Sequence, residues 1–381
     1  MRLIRFLRKI QRRFIHYSPS VKIFISRKKI KHNLQKYQKK YPQKLFAPVL
    51  KSNAYGHGLI PVAQILDQEK IAFFVLDSLY EAIILRKNGI KSKILIIGYT
   101  LLENIIHSKL SLVSFTITSL EQLKRVSKKA NKKIKIHLKI DTGMHRQGIL
   151  LNQVKEAIKI IKANSFLELE GICSHFAEAD NPDKTFTKSQ IKKWEEIVSL
   201  FKKNFSLIKF FHISATAGTF YSPQISENVI RLGIGLYGIN PSPLNKLDLK
   251  PALEMESLIT SLRKLPPGEY IGYQTSYQTQ KSCLIATVPV GYFEGVDRRL
   301  SNQGFFKIGS HFCPIVGRVS MNITSLDVSS LPEIKLNDKV KIISSNPNDK
   351  NSIENIAYLS QTIPYEILVH LPPHLRRSII N

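Results

Sequence analysis

Between Leu45 and Gly233, short apolar runs alternate with longer amphipathic stretches, and this repeat constrains the fold more than any other feature of the chain. Each apolar run has the length of a buried strand and each amphipathic stretch that of a helix, which is typical of repeated βα units. We count eight predicted strands: Leu45–Leu50, Ala72–Leu76, Ile94–Ile97, Leu112–Ile117, Ile134–Ile140, Leu167–Ser174, Ile208–Ile213 and Val229–Leu232. The pattern therefore predicts an α/β fold built on a (β/α)8 TIM barrel.

Helix signals lie where such units need them. Ser78-x-x-Glu81 and Ser119-x-x-Gln122 have the spacing of capping boxes, and each directly follows a predicted strand. The pair Asn88-Gly89 is typical of the end of a helix. These signals support helices on the outside of the barrel.

The pattern changes after about Pro251. Short alternating runs such as Lys281–Val290 and Phe305–Ile308 are separated by turn sequences, including Pro-Pro-Gly and Asn-Gln-Gly. This pattern is typical of a mostly-β domain. We predict three parts: a basic amphipathic extension over residues 1–18, the barrel over 19–251 and a C-terminal β domain over 252–381.

The first 18 residues contain six basic and no acidic side chains, with apolar residues at helical spacing. A helix here could make a weak contact with a membrane surface, or pack against its own protein. Charged residues interrupt any apolar core of a signal peptide, and no stretch is long and apolar enough to span a membrane. We therefore expect a soluble, cytoplasmic protein.

The net charge of +29 raises the alternative of nucleic-acid binding. Lysine is spread along the whole chain rather than clustered, so we expect no specific nucleic-acid partner. The three cysteines, Cys173, Cys283 and Cys313, have no spacing that suits a metal or a redox pair. We expect no metal site.

The stretch VLKSNAYGHG, residues 49–58, places Lys51 at the end of the first barrel strand. Active sites of such barrels lie at the C-terminal ends of the strands. A partly desolvated lysine has a lowered pKa and can act as a nucleophile or a base. Gly56 and Gly58 allow a close approach of the backbone, and the Tyr55 hydroxyl could bind a phosphate oxygen. A lysine that simply begins a loop is the alternative.

This stretch resembles the cofactor signature of the alanine racemases, which use pyridoxal 5'-phosphate (PLP). The order of Lys, Asn, Ala, Tyr, Gly, His and Gly over ten residues is a specific match. The resemblance extends from about residue 20 to residue 377. It implies that Lys51 binds the cofactor covalently.

The stretch HLKIDTGMHRQG, residues 137–148, resembles the second signature of that family. The resemblance implies that Arg146 contacts the substrate carboxylate, a role that suits a guanidinium group. It also implies that Lys139 is carbamylated in many members and supports that arginine. Strand alternation agrees in part, because it directs Lys139 toward the barrel interior, together with Lys135 and His137.

Two further stretches, GICSHFAEAD (residues 171–180) and NVIRLGIGLYG (residues 228–238), resemble family strands beside the cofactor ring. The resemblance implies that His175 hydrogen-bonds Arg231, and that Arg231 faces the pyridine nitrogen. An arginine there keeps this nitrogen unprotonated, which favours racemisation over decarboxylation or transamination. The implied phosphate ligands are Tyr55, Thr216, Gly233 and Ile234. Ala215 replaces a customary asparagine.

The stretch GYQTSYQTQ, residues 272–280, resembles the segment that carries the second base, here Tyr277. Racemisation needs two groups on opposite faces of Cα, because a proton removed from one face is returned to the other. In the family this tyrosine comes from the other subunit, which implies a homodimer. The companion stretch VGRVSMNIT implies that the Met321 amide binds the substrate carboxylate, with Asn322 in place of the usual aspartate.

We therefore predict a PLP-dependent isomerase that interconverts L-alanine and D-alanine, with Lys51 and Tyr277 as the two bases. The D-alanine would supply peptidoglycan synthesis. The alternatives are a racemase of another small amino acid such as serine, and a non-catalytic PLP-binding protein, which would typically lack the β domain. A PLP-dependent decarboxylase is disfavoured by Arg231. An interaction protein that uses the basic extension is the remaining alternative.

Overall fold

A computed structural model describes residues 17–331 and 333–381 of the 381-residue chain. Nearly all of the predicted extension over residues 1–18 lies outside this range, so its membrane contact stays a prediction. Within the described residues, no helix is both long and apolar enough to cross a membrane.

From residue 17 to about residue 251, the described chain contains nine strands and seven right-handed α-helices. The strands are β1 (Lys22–Ser26), β2 (Leu45–Pro48), β3 (Phe74–Leu76), β4 (Ile94–Ile96), β5 (Val113–Ile117), β6 (Ile134–Lys139), β7 (Leu167–Cys173), β8 (Phe210–His212) and β9 (Val229–Leu232). The helices are α1 (Arg27–Lys40), α2 (Leu59–Leu66), α3 (Leu79–Lys87), α4 (Leu102–His107), α5 (Leu120–Lys129), α6 (Val154–Ala163) and α7 (Thr185–Asn204).

Strands β2 to β9 form a closed ring of parallel strands. Strands β3 to β8 pair in chain order, and β2 pairs with β9. A parallel bridge between Val49 and Val75 joins β2 to β3. Strands β8 and β9 are joined where the Arg231 amide in β9 donates to the carbonyl of Ser214, two residues after β8 (3.1 Å). The eight predicted strands and the (β/α)8 barrel are confirmed.

The two predicted capping serines, Ser78 and Ser119, cap helices in the structure. Ser78 and Glu81 form a complete capping box at the start of α3. At α5, the Ser119 hydroxyl accepts from the Gln122 amide (3.1 Å), but the Gln122 side chain accepts from the Thr118 amide instead (2.9 Å). Both helices therefore begin directly after the predicted serine.

The barrel interior is divided into an apolar and a polar half. The apolar half is a cluster of buried side chains from β2, β3, β4, β8, β9 and the residues next to them: Ala47, Val49, Phe73, Val75, Leu95, Phe210 and Val229. In the polar half, Lys135 Nζ lies 3.2 Å from Glu170 Oε1, and the Ser114 hydroxyl binds the other oxygen of Glu170. Lys135 thus has a charged partner, which alternation within one strand could not identify.

The second part of the chain is mostly β. Its strands are β10 (Leu253–Leu258), β11 (Ser261–Leu265), β12 (Cys283–Val288), β13 (Phe305–Ile308), β14 (His311–Pro314), β15 (Thr324–Asp327), β16 (Lys339–Ile343) and β17 (Arg377–Ile380). Two short helices follow β16, α8 (Ile353–Leu359) and α9 (Pro364–Val369), which the sequence pattern did not indicate. The prediction of a mostly-β second domain is confirmed.

Strand β1 belongs to the sheet of this second part. It pairs antiparallel with β10 and parallel with β17, and its side chains Ile23 and Ile25 are fully buried. Residues 22–26 therefore lie in the C-terminal sheet although we assigned them to the barrel span of 19–251. The division near residue 251 stays a prediction.

Candidate active site

A cavity of about 980 Å³ lies at the C-terminal ends of the barrel strands. It brings together side chains that are far apart in the sequence. Nine of the eleven predicted site residues line it: Lys51, Tyr55, Lys139, Arg146, His175, Thr216, Arg231, Gly233 and Ile234. Their assembly follows from the closed ring, which places all eight strand ends around one opening.

Lys51 begins a left-handed turn. Ser52, Asn53 and Ala54 have φ between 53° and 56° with positive ψ, and Tyr55 follows with φ of 50°. Each of these residues carries a Cβ, and the left-handed conformation costs such a residue roughly 1–2 kcal/mol. Strain of this kind persists only where the surroundings hold it.

Contacts from both sides hold this turn. The Ser52 amide donates to Glu81 Oε1 (2.8 Å), and the same carboxylate accepts from the Asp77 amide (2.8 Å). The Asn53 side chain accepts from the Leu59 amide at the start of α2 (2.8 Å). The turn is thus tied to α3 and α2, the helices on either side of β3.

The Lys51 side chain remains accessible in one chain. It is 37% exposed, and its Nζ lies 3.9 Å from Asp77 Oδ1. The barrel mouth thus shields this side chain in part, and its role as a nucleophile or base stays a prediction.

Arg231 on β9 is the centre of the polar network beneath the cavity. Its Nη2 lies 2.9 Å from His175 Nδ1 and donates to the carbonyl oxygens of Ser174 (2.8 Å) and Ile213 (2.9 Å). Its Nη1 lies 2.6 Å from His212 Nδ1 and donates to the His212 carbonyl (2.9 Å). The predicted pairing of His175 with Arg231 is present in this geometry.

The arginine fixes the tautomers of its histidine neighbours. A guanidinium group has only donors, so His212 Nδ1 accepts and its proton lies on Nε2. That Nε2 is 2.8 Å from His137 Nδ1, which therefore accepts and leaves the His137 proton on its own Nε2. His137, for which the sequence indicated no partner, is thus the end of a chain that runs from Arg231 through His212.

Burial keeps these imidazoles neutral. Desolvation, together with the positive charges of Arg231, Lys139, Arg146 and Lys51, lowers the pKa of His175 to about 3. Desolvation also lowers the pKa of His137 to about 4 and that of His212 well below its ordinary value. The network therefore carries one permanent charge, on Arg231.

Part of the cavity wall carries hydroxyl groups next to backbone that approaches closely. Thr216 Oγ1 accepts from the amides of Gly233 (3.1 Å) and Gly235 (3.3 Å). A Cβ on Gly233 would lie 3.0 Å from the Tyr55 hydroxyl. Two hydroxyls and backbone donors thus surround a space that a side chain at residue 233 would fill.

Lys139, the last residue of β6, also lines the cavity. Desolvation lowers its pKa, and the nearby charges of Arg146 and Arg231 lower it as well. Arg146 itself is exposed, in the loop after β6. The two residues that the resemblance links are therefore near each other at the cavity wall.

Tyr277 and Met321 are the two predicted site residues that do not line the cavity of the described chain. Tyr277 packs on a small apolar cluster of the C-terminal part, and Met321 is 55% exposed. Asn302 joins their segments, because its Nδ2 donates to the Ser276 carbonyl (3.0 Å) and its Oδ1 accepts from the Gly317 amide (2.6 Å). One surface thus carries both residues.

Comparison with known proteins identifies the family. The model described as "Alanine racemase, N-terminal domain" matches residues 25–241, and the model described as "Alanine racemase, C-terminal domain" matches residues 252–379. The chain belongs to the alanine racemase family. The alanine racemase of Lactobacillus gasseri is 36% identical over 381 residues, which cover 95% of this chain and 98% of that protein. Alanine racemase 1 of Clostridium acetobutylicum is 32% identical, with 92% and 93% covered.

Solved alanine racemase structures have the same architecture. That of Clostridium difficile 630 superimposes with a TM-score of 0.89 at 30% identity and covers 96% of this chain and 97% of its own. That of Bacillus anthracis, with bound L-Ala-P, gives a TM-score of 0.88 at 29% identity and covers 96% of both chains. Alanine racemases are PLP-dependent enzymes. The predicted family is confirmed.

Asn322, which stands where the alanine racemase pattern has aspartate, has a hydrogen-bond partner. Asn322 Nδ2 donates to Glu294 Oε1 (2.7 Å), and Glu294 Oε2 accepts from the Gly291 amide (2.8 Å). A carboxylate at residue 322 could not donate to this buried glutamate. The asparagine therefore suits the acidic side chain that faces it. Nothing in the structure explains Ala215.

Two residues of the racemase cavity were missed by sequence reasoning. His212 on β8 binds Arg231, and its sequence context, Phe-Phe-His-Ile-Ser, has no catalytic pattern. Tyr365 on α9 lines the cavity, with its ring centroid 5.8 Å from that of Tyr55. The Pro364 that begins α9 is a helix-start signal that could have indicated this element. Among the described residues, no group of three or more His, Cys, Asp or Glu side chains is arranged to hold a metal ion.

Proposed function

We propose that this protein interconverts L-alanine and D-alanine with pyridoxal phosphate as its cofactor. The observation that carries the proposal is the cavity in which the Lys51 amine, the Arg231 guanidinium and the hydroxyls of Tyr55 and Thr216 come together. The family membership of the whole chain supports it.

The residues present suit pyridoxal phosphate. The donors around Gly233 suit a phosphate group, because hydroxyls and backbone N–H groups bind dianions without introducing a competing charge. Lys51 is the amine that would hold the aldehyde carbon, and Arg231 would face the ring nitrogen. When bound, the cofactor supplies a conjugated ring that acidifies the Cα–H bond of an amino acid joined to it.

Arg231 determines the type of reaction in this proposal. Both of its terminal nitrogens are engaged by His175, His212 and three backbone carbonyls, so the side chain is fixed in place. As a donor-only group it would leave the ring nitrogen unprotonated. A carboxylate at that place would protonate the nitrogen and favour transamination or decarboxylation instead.

Two side chains would move the proton. Lys51 would act at one face of the substrate Cα and Tyr277 at the other, one removing a proton while the other returns one. Desolvation, with a contribution from the charge of Asp327, raises the pKa of Tyr277. The phenol therefore holds its proton at neutral pH and can donate it to Cα.

We propose that Tyr277 acts from a second subunit, because it does not line the cavity of its own chain. Its segment lies on a surface with several exposed apolar side chains, including Tyr273 (68% exposed) and Met321 (55%), with Tyr270, Tyr292, Phe293 and Ile323 also exposed. Groups of exposed apolar side chains are typical of protein–protein interfaces. A two-fold homodimer would bring this surface over the cavity of the partner and would also desolvate Lys51.

Substrate recognition would use both subunits. Arg146 at the cavity wall and the Met321 amide of the partner subunit would bind the substrate carboxylate. Lys139, whose pKa is lowered by burial, is more often a neutral amine than an exposed lysine and can therefore react with CO2. We propose that its carbamate supports Arg146.

The biological role follows from the reaction. D-alanine formed in the cytoplasm would supply the synthesis of peptidoglycan, and no nucleic-acid partner is needed. The three cysteines of the chain are buried and unpaired by disulfides, in keeping with a reducing compartment.

The test is to incubate the protein with PLP and L-alanine in deuterated water and follow both deuterium at Cα and the formation of D-alanine. We expect both in the parent protein, with activity lost in Lys51→Ala and strongly reduced in Tyr277→Phe. L-serine in a parallel reaction measures the preference for alanine. Absence of D-alanine from the parent protein would remove the proposal, and exchange without racemisation would remove the two-base mechanism.

A further inference from the structure

Arg377, in the last strand of the chain, reaches across to the turn that carries Lys51. It begins β17 in the C-terminal sheet, and its Nε donates to the Gly56 carbonyl (3.0 Å) at the end of that turn. The two residues are 321 positions apart in the sequence. The contact therefore joins the C-terminal part of the chain to the cavity of the barrel.

The same guanidinium organises the loop before it. Its Nη1 donates to the carbonyl oxygens of Pro372 (2.7 Å) and Leu375 (2.7 Å), and its Nη2 donates to that of Leu371 (3.0 Å). A guanidinium is the one side chain that can donate in three directions at once from a planar, rigid group. Arg377 thus fixes its own loop and Gly56 in a single geometry.

Helix α9, which precedes that loop, packs directly on the turn. A Cβ on Gly56 would lie only 1.9 Å from the Leu368 carbonyl oxygen, so the two backbones touch. Gly56 also has φ of 76°, which glycine adopts without strain. Tyr365 of α9 places its ring 5.8 Å from that of Tyr55. The C-terminal part therefore covers one side of the turn from Tyr55 to Gly56.

These contacts from the C-terminal part matter because the residues of the turn do not favour the left-handed conformation. Ser52, Asn53, Ala54 and Tyr55 are all left-handed although none is glycine, and such strain has to be held by neighbours. Glu81 holds the first residue of the strained segment, and Arg377 holds the carbonyl of the residue that ends it. The Lys51 amine lies at the start of the same turn, so the clamp on Gly56 bears on its position.

We propose that Arg377 is a positioning residue for Lys51, which acts from the C-terminal sheet by clamping Gly56 and so keeps the left-handed turn in its strained form. The inference rests on the proposed function of Lys51. It adds a role for the C-terminal strand within the same subunit, in addition to the role of Tyr277 from the partner.

The test compares Arg377→Met with Arg376→Met in the holoenzyme. Arg376 is the adjacent arginine and is exposed, which makes it a matched control. Hydrogen exchange of the peptide over residues 51–58 should be several-fold faster in Arg377→Met and unchanged in Arg376→Met. The value of kcat should fall about 10- to 100-fold, because a small displacement of a reacting group is costly. The KM for L-alanine should stay within about twofold, because the proposed carboxylate ligands are elsewhere.

Arg377→Lys is the second variant, and it decides the question if Arg377→Met does not fold. A lysine keeps the charge but cannot donate to all four carbonyls, so exchange and kcat should lie between those of the parent and Arg377→Met. Unchanged exchange over residues 51–58 in a folded Arg377 variant would overturn the inference, as would a loss of kcat matched by a rise in KM. Lack of racemase activity in the parent protein would instead contradict the proposed function, because the exchange measurement does not depend on turnover.

Discussion

Replacing the buried His137 with glutamine should reduce the loss of unfolding free energy that the protein shows at acidic pH. His137 lies at the end of the chain from Arg231 through His212, it is about 1% exposed, and it does not line the cavity. A glutamine can accept from His212 Nε2 through its carbonyl oxygen, but it does not titrate. The substitution therefore removes one titrating group and keeps an acceptor.

The magnitude follows from the pKa of this group. Desolvation lowers the pKa of His137 from 6.5 to about 4, while the charge of Glu170 opposes the shift and that of Arg231 adds to it. Between these two pH values the unfolded chain binds a proton at His137 that the folded chain does not, so stability falls as the pH decreases. One proton contributes about 1.4 kcal/mol per pH unit, which gives about 2 kcal/mol between pH 6.5 and pH 5.

The assay is urea unfolding at pH 7 and pH 5, followed by the fluorescence of the single tryptophan, Trp194, which is fully buried in α7. The difference in unfolding free energy between the two pH values should be about 2 kcal/mol smaller in His137→Gln than in the parent. His107→Gln, at an exposed site, is the control and should match the parent. An equal pH dependence in His137→Gln and the parent would refute the proposed neutral, buried state.

Three other predictions concern the turn, the interface and residue 322. Mixing Lys51→Ala subunits with the strongly impaired Tyr277→Phe subunits should restore up to about a quarter of the parent activity, because half of the dimers would be mixed and each would hold one intact site of two. No recovery on mixing would argue against shared sites. Ser52→Gly should raise the free energy of unfolding by about 0.5–1 kcal/mol, because the relief of left-handed strain exceeds the entropy cost of glycine. A lower free energy of unfolding in urea would show that residue 52 is not strained. Asn322→Asp should lower the free energy of unfolding by about 2 kcal/mol, because it places a second carboxylate next to Glu294. Adding Glu294→Gln to this variant should recover most of the loss.

The barrel could be predicted from the sequence because its strands are buried on both faces. Such strands appear as continuous apolar runs, and the eight runs correspond to β2 to β9. The same logic placed Lys51 at a strand end, whereas the role of Arg231 came from the family resemblance. Strand β1 was different, because its pairing with β10 and β17 depends on residues more than 200 positions away.

Two unpredicted features of the site depend on contacts that are distant in the sequence. The left-handed turn after Lys51 has no local signal, because Ser52 to Tyr55 are ordinary residues that are held there by Glu81 and the C-terminal part. His212 became part of the network only through the proximity of β6, β8 and β9. The roles of the site residues remain predictions that rest on the family resemblance and the geometry.

The most direct test of the account is to locate the bound cofactor. The holoenzyme would be treated with borohydride, digested, and its peptides mapped by mass spectrometry. The account predicts a single pyridoxyl adduct on Lys51, with none in Lys51→Ala and a normal adduct in Tyr277→Phe. An adduct on any other lysine, or no adduct in the parent protein, would contradict it.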